Sequence, residues 1–502
     1  MAETAFNVRP GQRQLFLDDH GIARIENLTR AMHRPAKKGA VIRPDLAAGI
    51  TSHEAQSAPI WDEERQVFRF WVHGRPDDME ENACSYFESE DGLHWTKPLM
   101  RQVEYRGSME NNYVGVREID SAFACVVIDP IDPDPACRLK AFAHDHNQLF
   151  PVASDGITWR KLNCPAIPSW DVHGVSFDPV EKTFIGYMKD AGHAKAYGGP
   201  WKQDATAQEK GHPGTGRYGR SVWLATSKDF RNWTEAELAF ETDDLDQELA
   251  RQNIAERMAD SSLQQTVLID PEVYNADVYN MGGPFRYEGL YVAIPAIYHS
   301  TGPAPEVQNT DGFHLMQLAC SRDLRNWQRL GDRKPFIGPS PLGAGAYDLT
   351  QIIGPAGPVV RGDELWFYYT GIKYRSRPSN AEPDSGAVCL AVLRRDGFIS
   401  LDAGSESGTL VTEPFVLNGD KLYVNVDAQQ GELQVEVLDS ESQVLSTSSP
   451  VTGDLLRGEV EWKQGNINGM HGKDVSFRFA LKNAQFYSYW FESNRRAAHS
   501  NP

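Results

Sequence analysis

Basic clusters, closely spaced cysteines and long apolar runs are all missing from this 502-residue chain. The formal net charge is −19, and no Lys/Arg block interrupts the spread of Asp and Glu, so a phosphate backbone or an anionic membrane surface would be repelled. Neither nucleic acid nor a membrane is expected as a partner. The six cysteines, Cys84, Cys125, Cys137, Cys164, Cys320 and Cys389, lie far apart with no C-x-x-C, which argues against a zinc site or a dense disulfide framework and for buried thiols. No segment reaches the roughly 18 apolar residues of a membrane-spanning helix. The opening "MAETAFNVRPGQRQLFLDDH" has no basic region followed by an apolar run, so a cytoplasmic location is expected, or a periplasmic one if a leader has been removed. Helical periodicity is scarce too. It is confined to 243–262, where Leu245, Leu249, Ile254 and Met258 would share one face.

What the chain has is turns and aromatic residues, with 42 Gly, 30 Pro and 10% Phe, Trp and Tyr. One phrase returns four times, as "SEDGLHW" (89–95), "SDGITW" (154–159), "SKDFRNW" (227–233) and "SRDLRNW" (321–327). Each copy stands between β-rich runs, and an Asp that accepts turn N–H groups above a packed Trp makes a β-hairpin corner. A fifth corner is read at "AVLRRDGFISLD", with Asp396 at the turn and Phe398 in the place of Trp. Between corners lies a second hairpin pattern, as in "APIWDEERQVFRFWV", "GVSFDPVEKTFIGYMKD" and "AGPVVRGDELWFYYTG". Five inner hairpins alternating with five outer ones predict a five-bladed β-propeller over residues 1–400, with 1–45 packing on it. Residues 401–502 alternate apolar and polar residues between short turns and predict a separate β-sandwich. The expected fold class is all-β.

A propeller aims the first residues of its inner strands into one central cavity. The windows just before the inner hairpins are "TSHEAQS", "REIDSAF", "PSWDVHG", "YNADVYNMGG" and "GAYDLTQIIG". They carry Glu54, Asp120, Asp171, Asp277 and Asp348, and a ring of inward acids suits glycosidic bond cleavage, which needs a proton donor and an opposing carboxylate. Turn capping is the competing account of each acid. His53 and His173 stand beside two of them as candidate hydroxyl ligands, and Tyr279, Asn280, Arg220, Gln351 and Trp170 as further substrate contacts; satisfied or packed side chains are the alternative. Trp201 near the same rim is a further candidate sugar platform. No metal ligand spacing and no cofactor motif is found, leaving room only for a structural cation on the propeller axis.

From about residue 12 to residue 495 the chain resembles bacterial proteins grouped with the five-bladed propeller glycoside hydrolases, similar in architecture to families 32 and 43. The stretches that carry the resemblance are "LFLDD", "TRAMHRP", "DGFISLDAG", "PFVLNGDKLYVNVDA" and "LKNAQFYSYWFE". The family 32 strings W-M-N-D-P-N, R-D-P and E-C are absent, although Asp171 occupies a position like the Asp of R-D-P and Asp277 stands where a proton donor is expected. The resemblance implies an exo-acting glycosidase on a small oligosaccharide or glycoside, with Asp277 as general acid, Glu54 or Asp171 opposing it and the remaining acid orienting substrate. A second reading is a lyase of uronic-acid sugars, in which His173 or Tyr279 is the base and Arg220 or Lys189 neutralises the carboxylate. A third is a non-catalytic carbohydrate-binding protein. The oligomeric state is left open.

Overall fold

A computed structural model describes residues 6–76, 83–116, 118–119, 123–145, 148–169, 174–189, 215–304, 309–343, 345–375 and 384–493. Trp170, Asp171, His173, Asp120 and Trp201 lie outside the described residues. The structure is mostly β, and among the described residues it has one α-helix, Asp244–Ala259.

Antiparallel sheets follow one another along the chain. The first orders Ile50–Glu54, Val67–Pro76, Ala83–Ser89 and Tyr113–Val114; the second orders Phe123–Ile128, Leu139–Asp145, Gln148–Ser154 and Trp159–Lys161. The third orders Gly174–Asp178, Thr183–Lys189, Val222–Ser227 and Glu237–Phe240. The fourth orders Asn275–Asn280, Ala296–Ala304 and Asn309–Met316, beside a companion of Phe285–Tyr287, Leu290–Ala293, Ala319–Ser321 and Gln328–Arg329. The fifth orders Gln351–Ile353, Glu364–Ile372 and Gly386–Arg394, and takes its last strand, Ala36–Ile42, from the far N-terminal side of the chain. Each sheet packs on the next, and the fifth meets the first where Gly386 pairs with Ser52, so the contacts form a closed cycle.

The repeated phrase explains that cycle. At each corner one Asp oxygen accepts two backbone N–H groups: Asp91 from Leu93 and His94 at 2.8 Å, Asp229 from Arg231 and Asn232 at 2.9 and 2.8 Å, Asp323 from Arg325 and Asn326 at 2.9 and 2.7 Å. Asp155 does the same for Ile157 and Thr158 at 2.9 and 3.0 Å. The turn passes through a left-handed residue, Gly92, Gly156, Phe230 or Leu324, with φ of +75°, +100°, +60° and +66°. That conformation is free for glycine but costs Phe and Leu about 1–2 kcal/mol. Burial of both rings or branches offsets it.

The corner aromatic then packs on the second strand of the preceding sheet. Trp159 meets Trp71 at 6.0 Å, Trp233 meets Phe142 at 5.3 Å, Trp327 meets Tyr187 at 6.3 Å, and Trp95 of the first sheet meets Tyr368 of the fifth at 6.0 Å. Phe398 meets Tyr287 at 5.3 Å. Three of these partners also donate a phenol hydrogen bond into the corner: Tyr368 to Gly92 O at 2.8 Å, Tyr187 to Leu324 O at 2.7 Å and Tyr287 to Asp396 Oδ1 at 2.6 Å.

The fifth corner differs. Asp396 itself takes the left-handed position, φ +62°, and its carboxylate turns inward, fully buried. It accepts from Arg13 Nη1 at 2.5 Å, Tyr287 OH and Ser488 Oγ at 2.6 Å and Asn425 Nδ2 at 3.3 Å. These partners belong to the N-terminal segment, the fourth-sheet companion and the C-terminal sheet.

The C-terminal sheet runs Ile22–Glu26, Gly408–Thr412, Asp474–Lys482, Lys421–Leu438, Ala484–Glu492, Ile399–Ala403 and Thr29–Met32. Alternation drives it: Val475, Phe477, Phe479 and Leu481 face inward and the residues between them do not. The N-terminal segment expected to pack on the first domain divides. Gln14–Leu15, Ile22–Glu26 and Thr29–Met32 pair with C-terminal strands, and Ala36–Ile42 pairs with the fifth sheet. One hydrophobic cluster runs from Phe336, Phe367 and Phe398 to Phe479 and Phe486.

Removing the Asp396 carboxylate leaves Arg13 in a closed niche without its anion. Asp396→Ala is expected to lower the free energy of denaturant unfolding by about 3–5 kcal/mol, the usual cost of breaking one side of a buried pair. A change within experimental error would show that the buried pair does not hold the junction.

Candidate functional site

The fourth sheet begins with "NADVYN", buried from Ala276 onward, and its register shifts between Val278 and Asn280, at Tyr279. Asp277 is 1% exposed. A short hairpin, Thr215–Gly216 with Gly219–Arg220, delivers Arg220 to it: Nε and Nη2 of the guanidinium donate to Oδ2 and Oδ1 at 2.8 and 2.7 Å, and the Arg220 amide approaches Oδ2 at 3.3 Å. Both partners are buried, so the fork-to-carboxylate geometry holds a fixed orientation. Gly219 permits it. With φ +121°, a Cβ there would sit 3.0 Å from Asp277 Oδ2.

Tyr279 gathers cations. Lys189 Nζ lies 4.2 Å from its ring centre, Arg220 Cζ 5.2 Å and Arg375 Cζ 5.7 Å. Arg220 and Arg375 also face the Tyr298 ring, at 4.7 and 5.2 Å. Gln351 Nε2 donates to the Tyr279 hydroxyl at 3.1 Å, and its Oε1 accepts from Arg375 Nη1 at 3.3 Å. The His314 ring lies 4.4 Å from Tyr279 and 5.2 Å from Tyr298. Its Nδ1 lies 2.9 Å from Ile352 O and 3.3 Å from Ile352 N, which anchors the ring to that residue's backbone. Nε2 is buried and makes no hydrogen bond. Burial, then the field of Arg375, holds His314 well below the ordinary imidazole range.

The open edge of the Asp277 strand is tied to the helix. Gln247 Oε1 accepts from Ala276 N at 3.0 Å while its Nε2 donates to Ala276 O at 2.7 Å, and Thr242 Oγ1 donates to the same carbonyl at 2.9 Å. A side-chain amide thus replaces a missing strand partner. The helix does not bury the expected face. Leu245 and Met258 are exposed, and the buried residues are Asp246, Ala250, Ile254 and Arg257. Asp246 accepts from Arg329 at 2.8 and 3.0 Å, and Arg257 Nη2 donates to Leu349 O at 2.7 Å, so charge pairing set the helix rotation against the apolar count.

The other candidates fall elsewhere. Glu54 is buried on Ile50–Glu54, and Arg75 Nε comes within 3.0 Å of its Oε1 without hydrogen-bond alignment. His53, its neighbour, points to Phe87 at 5.3 Å, finds no hydrogen-bond partner for either nitrogen, and is held down to about 3 by burial. Among the described residues Glu54 pairs with Arg75 and Asp277 with Arg220, and no hydrogen bond or ion pair joins the two carboxylates. Asp348 accepts from Lys37 Nζ at 2.7 Å and Tyr369 OH at 2.9 Å, which ties the strand Ala36–Ile42 to the fifth sheet. Asn280 is buried, and its Oδ1 has no hydrogen-bond partner. The structure therefore brings Asp277, Arg220, Tyr279, Gln351 and Lys189 together and adds Arg375 and His314. Arg375 and His314 had no sequence signal, since "KYRSR" and "DGFHLM" show neither motif nor spacing. Among the described residues no group of three or more His, Cys, Asp or Glu could hold a metal ion, and no helix is long and apolar enough to cross a membrane.

No family model and no curated protein matches the chain. Solved structures similar to it include several glycoside hydrolases, at low identity. A family 43 arabinoxylan arabinofuranohydrolase from Bacillus subtilis is 10% identical with a TM-score of 0.37, over 91% of this chain and 99% of that one. A family 32 beta-fructofuranosidase from Bombyx mori is 9% identical with a TM-score of 0.36, over 92% and 95%. An N-acetylgalactosamine deacetylase from F. plautii is 13% identical with a TM-score of 0.39, over 74% and 97%. The chemistry of this chain rests on its own residues.

Gln247→Ala would strip two hydrogen bonds from the backbone that carries Asp277. Loosened protection of the Ala276 amide in hydrogen exchange, with a loss of about 1–3 kcal/mol, is the expected result; unchanged protection would mean that the strand holds its register unaided. His53 sets a pH dependence. Because its folded value of about 3 lies below the ordinary 6.5, the unfolded chain binds the proton first as pH falls. Its contribution is complete above 6.5 and is lost toward 3, at up to about 1.4 kcal/mol per pH unit. Unfolding titrations of His53→Gln should show a flatter acid limb than the parent.

Proposed function

We propose that the chain is a glycoside hydrolase, exo-acting on a small oligosaccharide or glycoside. In this reading the five sheets are the blades of a propeller spanning 1–400, with a C-terminal sandwich over 401–502 completed by strands from the N-terminal segment. The observation that carries it is the buried Asp277 held by Arg220 beside the Tyr279 ring, on the first strand of its sheet. Of the two carboxyl groups that glycosidic cleavage needs, Asp277 is one held in a fixed orientation, and the amide–phenol pair of Gln351 with Tyr279 supplies polar groups beside it.

The roles follow from the hydrogen bonds. Both Asp277 oxygens accept from Arg220, so neither is placed to pass a proton to a leaving group. We therefore move Asp277 from general acid to base, nucleophile or partner of the oxocarbenium charge. Asp171 and Glu54, two of the other carboxylates expected to face the cavity, are then the candidate acids, and Glu54 fills that role only where substrate displaces the Arg75 Nε now 3.0 Å from its Oε1. A second reading, a lyase of uronic-acid sugars with Tyr279 as base, is supported by the placing of Lys189 and Arg220 over that ring. A third, carbohydrate binding without turnover, stays as an outcome of the test.

Purified protein is to be assayed against aryl glycosides and plant or algal oligosaccharides. Release of a reducing sugar, reduced about 10²–10³-fold in kcat by Asp277→Asn on the scale of one lost transition-state group, is expected. A product with a new ultraviolet-absorbing double bond would replace the hydrolase by the lyase. Sugar binding without turnover would leave only the third reading.

A further inference from the structure

The hairpin that carries Arg220 is too short to hold itself in place. Its strands, Thr215–Gly216 and Gly219–Arg220, pair with each other and join no larger sheet among the described residues, and a lone two-stranded ribbon is marginal at best in water. Arg220 nevertheless meets Asp277 through both Nε and Nη2, a fit that tolerates an error of only about 0.5 Å. The turn of the hairpin, Arg217–Tyr218, shows what holds it. Arg217 Nη1 donates to Asp244 Oδ2 at 3.0 Å, and the Tyr218 hydroxyl donates to Asp244 Oδ1. The Arg217 amide donates to Glu241 Oε2 at 2.8 Å, and Asn275 Nδ2 donates to the Tyr218 carbonyl at 2.9 Å. Asp244 is the first residue of the helix, standing between Asp243, which accepts from Arg333 at 2.5 and 2.7 Å, and the turn that pins Asp246 to Arg329. The Tyr218 hydroxyl, then the Arg217 guanidinium, hold its carboxyl below the usual range.

Resting on the reading that Asp277 acts on a sugar, we infer that Asp244 is a positioning residue: through Arg217 and Tyr218 it sets the hairpin at the height from which Arg220 fixes the Asp277 carboxylate. Gly219 passes the position on with little slack, because its backbone lies so close that a Cβ would sit 3.0 Å from Asp277 Oδ2. The same helix holds the Asp277 strand through Gln247, so both members of the pair take their place from one element. The side chains of Arg217 and Asp244 are 62% and 67% exposed. Such a contact contributes little to global stability, and its loss leaves the fold in place.

Asp244→Ala and Tyr218→Phe, made in the whole protein and checked for fold by circular dichroism, test this in two ways. Hydrogen exchange at the Arg220 amide, which faces Asp277 Oδ2 at 3.3 Å, should quicken about fivefold in Asp244→Ala and by less in Tyr218→Phe. On a glycoside that the parent cleaves, Asp244→Ala should lower kcat about fivefold, yet by less than about twofold when Arg220→Gln is already present, because a residue acting through Arg220 has nothing left to act on. Unchanged exchange overturns the inference. An equal fall in kcat with and without Arg220 also overturns it, since Asp244 would then act by another route. A rise in kcat overturns it too, and makes the hairpin a cover over Asp277. Should Arg220→Gln lose its fold or all turnover, the exchange rates decide alone. Turnover with unchanged exchange sinks this inference alone, and quickened exchange in a protein that cleaves no glycoside leaves Asp244 holding Arg220 and sinks the hydrolase reading alone.

Discussion

The stacking of each corner aromatic on the sheet before it is the contact from which the rest of the architecture follows. A hairpin corner alone specifies only two strands, but Trp95, Trp159, Trp233, Trp327 and Phe398 each commit a ring to a neighbour, in the order five, one, two, three, four. The carboxylate beneath the turn fixes where the ring emerges, because two backbone N–H groups cannot be satisfied by one oxygen in any looser loop. A sequence that repeats the corner thus repeats the contact between neighbouring sheets. The phenols of Tyr368 and Tyr187 add direction, since each must find the carbonyl of a left-handed residue.

Closure requires the fifth corner to differ. By the time the chain returns to the first sheet it must also leave for the C-terminal strands, and Asp396 serves both ends by turning its carboxylate inward to Arg13, Tyr287, Ser488 and Asn425. Asp348 does related work from the fifth sheet, bonding Lys37 on the N-terminal strand that completes it. The N-terminal segment is consequently divided between two sheets, and the hydrophobic cluster that includes Phe398 and Phe486 is continuous across them.

The corners, the inner hairpins and the alternating C-terminal strands were legible in the sequence because each is local: a turn residue, a carboxylate and a ring within seven positions, or a period of two. The partners of the N-terminal strands were not, since pairing between Ala36–Ile42 and Gly386–Arg394 spans most of the chain and leaves no local trace. The windows before the inner hairpins located Asp277, Tyr279 and Gln351, which do meet, together with Arg220, read separately at the start of "RSVWLATS". They did not distinguish His53, because position along a strand says which end of a sheet a residue occupies and not which face, and one step along the strand exchanges the faces; Asp348 lies in the turn before its strand, where its carboxylate meets Lys37 and Tyr369. Asp171, His173 and Trp170 fall outside the described residues. Arg375 and His314 reach the group only through tertiary packing.

The helix insertion shows why the group at Asp277 is held by polar contacts. Its strand has an open edge, and an apolar helix laid against that edge would leave Ala276 N–H and C=O unpaired. Gln247 answers both, provided the helix sits at one rotation and one height. An apolar helix face packs nearly as well one step along, whereas Asp246 must meet both Arg329 and Arg333, and Arg257 must meet the carbonyl of Leu349. Burying such charges contributes little net stability over a well-packed apolar face. What they contribute is register, and the register of the helix becomes the register of Asp277.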